Sequence, residues 1–407
     1  MKKCIIVVFV FGIVLFMYAS AEWGFQADSE DLAVGPIYVA YEGENVDNNN
    51  FGLGILRFVE YPELNLYDNI SLKGVSIYDS HSFSPYKSQL GLQGYIYQMV
   101  SKLLSGIICF KVLYHGLKVL CVMLFVIVIC LIVWQLNIKY GVVFAAIFGA
   151  VSFFSSWTDN FSNNLYWVEF TWFIPLLLSL FMLNYPHKKN LIYLLFFVSI
   201  LVKCMCGYEY ISTIMASSLV FLLVEYLADK KKRKELFKEI IIIGFISVLA
   251  FLLVYVIHAY VYGNGNVLEG LSRMQIELVG RRTYGNAFNY DPGYADSLNA
   301  TVITVINKYI GIGSRESVRN LLLFISTVTI LFYRAIYLKD NCGKLVSMFV
   351  LSLLSTLSWI ILAKGHSYIH THINFVMFYM GWVQVSFYII VESVFKMIRI
   401  DIRTSKT

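Results

Sequence analysis

The sequence predicts an all-α polytopic membrane protein with about ten transmembrane helices, and three observations lead there. The first is composition: of 407 residues, 58% are hydrophobic and 14% charged, with a mean hydropathy of +0.67. Soluble domains carry about a quarter charged residues, so a soluble globular enzyme is excluded, and chain this apolar does not stay solvated as disorder. The second is run length: apolar stretches recur near the 20 residues or so that a hydrocarbon core of about 30 Å demands. The third is charge placement, since basic residues concentrate in alternate short loops, as the resistance of Lys and Arg to translocation requires.

Taken in order, the apolar runs lie near 4–20, 112–135, 140–156, 164–184, 190–206, 211–228, 240–262, 317–337, 345–363 and 373–395. Lys2, Lys3, Lys139, Lys188, Lys189, the stretch Lys230–Lys234 with Lys238, Arg334, Lys339, Lys344 and Lys396 fall on one side, expected to be cytoplasmic. The opposite side is net acidic, so both termini are expected in the cytoplasm. This divides the chain into a first helix (1–20), a large extracytoplasmic loop (21–111), helices two to seven (112–262), a second extracytoplasmic loop (263–316), helices eight to ten (317–395) and a basic cytoplasmic tail (396–407). An alternative stays open at the start. Lys2-Lys3, the run Cys4–Tyr18 and Ala19-Ser20-Ala21 also fit a cleavable signal peptide, which would leave nine helices.

The net charge of +6 does not indicate nucleic acid, because its cationic excess sits in the short loops beside the anionic leaflet. Neither a Walker nor a Rossmann glycine pattern is present, so chemistry is expected at the extracytoplasmic face. Each outer loop carries an amphipathic stretch. Over 89–104, Leu92, Tyr95, Ile96, Met99, Leu103 and Leu104 form one face, and over 266–278 Leu268, Leu271, Met274 and Leu278 do the same. Such helices lie in the membrane interface or pack on the protein's own helices.

Three groups of residues are candidates for chemistry. Asp28, Glu30 and Asp31 stand just beyond the first helix, where a general base would meet a lipid-borne substrate; they equally suit a helix start. Arg281 and Arg282 form an arginine pair on the side where basic residues are disfavoured, and the planar fork of arginine suits phosphate oxygens. Lys364, His366, His370 and His372 cluster before the last helix; contacts to phosphate or sugar hydroxyls are expected of Lys364 and His366, His370 is expected to line a cavity, and metal binding by the histidines stays open as an alternative. Glu169 and Glu209 at outer helix ends, with the pair Asp79 and His81, are expected to line a cavity. Lys203 is a candidate partner of Glu209, and Lys118 is expected to snorkel outward. The seven cysteines show no disulfide framework or zinc-ligand spacing.

This arrangement resembles the C-type membrane glycosyltransferases, the GT-C superfamily. The features that carry the resemblance are a retained first helix, the acids Asp28, Glu30 and Asp31 beyond it, a large first outer loop with a membrane-parallel helix, and basic residues in a later loop. No WWD-type signature of oligosaccharyltransferases is present. The resemblance implies a polyprenyl-phosphate-linked sugar as donor, a glycan or lipid-linked acceptor, and inversion at the anomeric carbon. It implies a first-loop carboxylate, Asp28 or Asp31, as general base, with Arg281, Arg282 and Lys364 steadying the departing phosphate. Some members use a divalent metal, and the ligand spacing here does not indicate one. The implied location is the inner (cytoplasmic) membrane with the active site on its extracytoplasmic side. Two other classes stay open: an O-antigen or polysaccharide polymerase or ligase, and a lipid-linked glycan flippase or other transporter.

Overall fold

The computed structural model describes residues 29–44, 50–60, 66–74 and 81–404. The run 4–20 and the residues Asp28 and Asp79 lie outside this set. The first loop contributes α1 (Asp31–Tyr41), β1 (Gly54–Phe58), α2 (Leu66–Lys73), β2 (His81–Pro85) and α3 (Leu92–Leu104). The bundle follows as α4 (Phe110–Tyr140), α5 (Val142–Phe154), α6 (Ser156–Ser162), α7 (Phe170–Asn184), α8 (Lys189–Cys206), α9 (Ile211–Ala228) and α10 (Arg233–Tyr262). The second loop forms α11 (Val267–Met274), a π-helical turn over Gln275–Gly280, α12 (Pro292–Asn299) and α13 (Val302–Tyr309). The remainder is α14 (Arg315–Ile336), α15 (Gly343–Leu362), α16 (Lys364–Ile369), α17 (Thr371–Asn374) and α18 (Trp382–Thr404).

Among the described residues, six helices are long and apolar enough to cross a membrane: α4, α8 with its preceding turn, α9, α10, α14 and α15. The count becomes eight if each of two bent pairs is one span. These pairs are α5 with α6, bent by 64°, and Thr371–Met380 with α18, bent by 52°. The run expected near 164–184 forms only the 15-residue α7, because residues before Phe170 turn back instead of continuing the helix. The result is a helical, multi-pass membrane architecture.

Long-range packing follows these apolar faces: α9 lies against α15, α4 against α7, and α10 against α8. The described part of the first loop is not purely helical. β1 and β2 pair antiparallel, from Gly54 opposite Pro85 to Phe58 opposite His81, and α1 packs on β1 and α3.

The two amphipathic stretches behave differently. Helix α3 turns its polar and small residues inward: Gln93, Gly94, Tyr97 and Ser101 are buried, and Ser101 Oγ donates to the Ile37 carbonyl at 2.8 Å. A Cβ at position 94 would lie 1.9 Å from the Gly52 carbonyl oxygen, so glycine is what permits this close approach. The apolar residues Tyr95, Ile96, Met99 and Leu103 are therefore left exposed, the arrangement of a helix lying against lipid. By contrast, α11 and the turn after it bury Met274 and Leu278 against Ala259 of α10, while Leu268 remains exposed.

At 30 residues, α10 is about 45 Å long at 1.5 Å per residue, and its ends differ in chemistry. The Arg233 end meets Lys139, Lys189 and Lys232 with Glu225, Glu235 and Glu239. The Tyr262 end meets the second loop and the candidate site.

Candidate functional site

Between α6 and α7 the chain runs through the protein interior, with every residue from Phe161 to Glu169 buried. A buried non-helical segment must satisfy its backbone groups without water. Here Asn164 Oδ1 accepts from the Tyr166 N–H at 2.9 Å, Gln93 Nε2 donates to the Tyr166 carbonyl at 2.9 Å, and Glu30 Oε1 accepts from the Leu165 N–H at 3.2 Å. The other oxygen of Glu30 accepts from the Tyr114 hydroxyl at 3.0 Å and from Lys118 Nζ at 3.4 Å. Glu30 is fully buried and Lys118 is 3% exposed. Lys118 thus points inward to an ion pair and does not snorkel. Glu30, expected among the candidate bases, is committed to three donors that hold the α4 and Phe161–Glu169 regions together.

Asp31 takes a different direction. It opens α1, half-buried, and its Oδ1 accepts from the Leu66 N–H at 3.3 Å. Burial raises its carboxyl above the usual range, against the opposing pull of the Leu66 N–H and Arg57.

A second pair, a buried Glu209 with a half-buried Arg282, lies beside the same segment. Arg282 Nη1 is 3.9 Å from Glu209 Oε1, and Arg282 Nη2 donates to the Tyr86 hydroxyl at 3.4 Å. The Tyr166 hydroxyl donates to the same Glu209 oxygen at 3.1 Å. Tyr166 and Leu165 therefore link the Glu209 and Glu30 clusters through adjacent residues. Lys203 does not bond to Glu209; its ammonium donates to the Gly207 carbonyl at 2.7 Å.

His366 joins this region through Gly365. A Cβ there would come within 2.8 Å of the Arg281 carbonyl oxygen, so the glycine lets α16 rest on the Arg281-Arg282 backbone. The buried His366 ring lies 5.6 Å from Trp359 and 4.5 Å from His370, centroid to centroid. Burial, together with Arg282, His370 and Arg281, lowers the His366 pKa well below its ordinary value, so the ring is neutral.

Lys364 departs from its expected phosphate role. Its ammonium donates to the Leu298 and Ala300 carbonyls at 2.5 and 2.6 Å, closing the C-terminal end of α12. Glu169 is 1% exposed, with neither carboxylate oxygen hydrogen-bonded and Asp159 as an electrostatic neighbour. His81 is exposed opposite Phe58 at the end of the strand pair, and His370 is half-buried beside His366 and His372. Among the described residues, no group of three or more His, Cys, Asp or Glu side chains is placed to hold a metal ion.

The open space at this end is a cavity of about 610 Å³, within the 300–1,000 Å³ or so typical of small-ligand sites. Lys87 and Arg281 supply cations, Glu277 and Asp291 carboxylates, and Tyr262, Phe288, Tyr290 and Tyr294 aromatic surface. Arg281 Nη1 donates to the Tyr294 hydroxyl at 3.4 Å, and its guanidinium lies 5.1 Å from that ring's centroid. Lys87 is placed from below. His258 Nε2 donates to the Lys87 carbonyl at 3.0 Å, which makes Nδ1 the acceptor for the Tyr208 hydroxyl at 3.2 Å.

No protein-family model, curated protein or solved structure matches the chain.

Sequence reasoning placed Arg281 in the site and missed Lys87, Tyr262, Glu277, Tyr290, Asp291 and Tyr294, all of which line the cavity. A signal was available in Tyr284, Phe288, Tyr290 and Tyr294, four aromatics spaced through a polar, glycine-bearing loop directly after the arginine pair.

Proposed function

We propose that this protein is an integral membrane glycosyltransferase of the GT-C kind, moving a sugar from a polyprenyl-phosphate donor to a glycan or lipid-linked acceptor at the extracytoplasmic face of the inner membrane. The observation that carries this reading is the cavity itself. Its two cations suit a phosphate, its aromatic rings suit the apolar faces of a sugar, and its carboxylates suit hydroxyls. Exposed Ile276 and Phe288 at the cavity wall give an isoprenoid chain apolar surface where it would enter. The lysine-rich Arg233 end of α10, about 45 Å away, favours the cytoplasm, which supports an outward-facing cavity on this reading.

On this reading Arg281 and Lys87 draw the phosphate oxygens and stabilise the negative charge that grows as the glycosidic bond breaks. Arg282 is tied to Glu209 and Tyr86 and supports the cavity from behind.

The test is mass spectrometry of lipid-linked glycans from a deletion strain of the producing organism. A glycan lacking one sugar, restored by the wild-type gene and not by Arg281→Ala, is the expected result. Complete repeat units that accumulate unpolymerised would replace the proposal with a polymerase or ligase. A second reading, a lipid-linked glycan flippase, draws on the two bent helix pairs, since broken helices are common in transporters. Complete glycans held on the cytoplasmic leaflet would favour it.

A further inference from the structure

Resting on the transferase reading, we propose that Asp291 is the general base, the carboxylate that takes the proton of the acceptor hydroxyl in the Arg281 cavity. Among the described residues, each other nearby acid is already engaged or lies off the cavity. Glu30 is fully buried and accepts from Tyr114, Lys118 and the Leu165 N–H. Glu209 accepts from Tyr166 and neighbours Arg282. Glu277 lines the cavity and accepts from the Tyr262 hydroxyl. Asp31 accepts from the Leu66 N–H, and neither Asp31 nor Glu169 lines this cavity.

Asp291 differs from all of these. It lines the cavity and is exposed, and its carboxylate has no hydrogen bond or ion pair among the described residues. It directly precedes Pro292, the first residue of α12, yet its side chain makes no capping hydrogen bond. The proline ring fixes its own φ and restricts the residue before it, so the Asp291 backbone is held while both carboxylate oxygens stay open to a ligand.

The step balances with groups on the cavity wall. The acceptor O–H gives its proton to Asp291 as its oxygen lone pair forms a bond to the anomeric carbon. The bond from that carbon to the phosphate oxygen breaks on the opposite side. Its electron pair leaves with the polyprenyl phosphate, whose charge Arg281 and Lys87 neutralise. Asp291 then releases the proton to water, and nothing is oxidised or reduced.

The experiment expresses full-length wild type, Asp291→Asn, Asp291→Glu and the control Asp296→Asn in the deletion strain. It measures the completed lipid-linked glycan and, on purified protein, binding of undecaprenyl phosphate by native mass spectrometry. A general base contributes about 10²–10⁴-fold, so Asp291→Asn should lower product formation at least about 100-fold. Its probe binding should stay within about twofold of wild type, Asp291→Glu should keep measurable transfer, and Asp296→Asn should match wild type. If Asp291→Asn keeps half or more of the transfer, or loses probe binding with it, Asp291 is not the base and the transferase reading stands. If wild type itself restores no sugar, the transferase reading falls and the assignment falls with it.

Discussion

The Glu30 carboxylate and the Lys118 ammonium meet 3.4 Å apart, both almost wholly buried, and the Tyr114 hydroxyl contacts both. An acid that reads as catalytic from its place in the chain is therefore the anchor of a helix and of an internal segment. Removing one member of a buried pair leaves the other charge without compensation and costs about 3–5 kcal/mol. Glu30→Gln should lower the thermal unfolding temperature in detergent well beyond any effect of Asp31→Asn. Glu30→Gln combined with Lys118→Met should recover most of that loss. Normal stability with abolished transfer in Glu30→Gln would return Glu30 to the chemistry.

The neutral His366 makes stability depend on pH. Its folded pKa lies well below the unfolded value of about 6.5, so on acidification the unfolded chain binds the proton first. Its contribution is complete above that pH and declines as pH falls, by up to about 1.4 kcal/mol per pH unit. Unfolding temperatures from pH 8 to pH 5 should therefore fall more steeply for wild type than for His366→Gln. Parallel curves would show that His366 protonates as easily folded as unfolded.

The inverted amphipathicity of α3 gives a depth prediction. Spin labels on Ile96→Cys, Met99→Cys and Leu103→Cys in liposomes should collide with oxygen more readily than with a water-soluble nickel chelate. Labels on Gln93→Cys and Ser101→Cys should meet neither, because those positions are buried against α1 and the Gly52 region. Equal nickel access at 96, 99 and 103 would place this face in water.

Orientation is tested with single cysteines in a cysteine-free background. Asn299→Cys should react with an impermeant reagent added outside intact cells, while Lys232→Cys should react only after lysis, as the positive-inside rule requires. External labelling at 232 would invert the topology.

What the sequence alone determined is what local composition controls. Partition into a bilayer is set by about 20 consecutive residues, so the runs at α4, α8, α9, α10, α14 and α15 were readable from hydropathy. The apolar stripe of α3 was equally legible, because 3.6-residue periodicity is local, and Arg281 stood out as half of an arginine pair. The tertiary structure alone decided where the buried charges go. Glu30 finds Lys118, Lys364 finds the carbonyls ending α12, and Arg282 finds Glu209, each across a contact between segments remote in sequence. A buried charge must be compensated wherever a partner is within a few ångströms, and that proximity is fixed by which helices pack together. Lys87, Arg281 and Asp291 share a cavity for the same reason: the first and second loops fold over one end of α10, and no property of either loop by itself specifies the other.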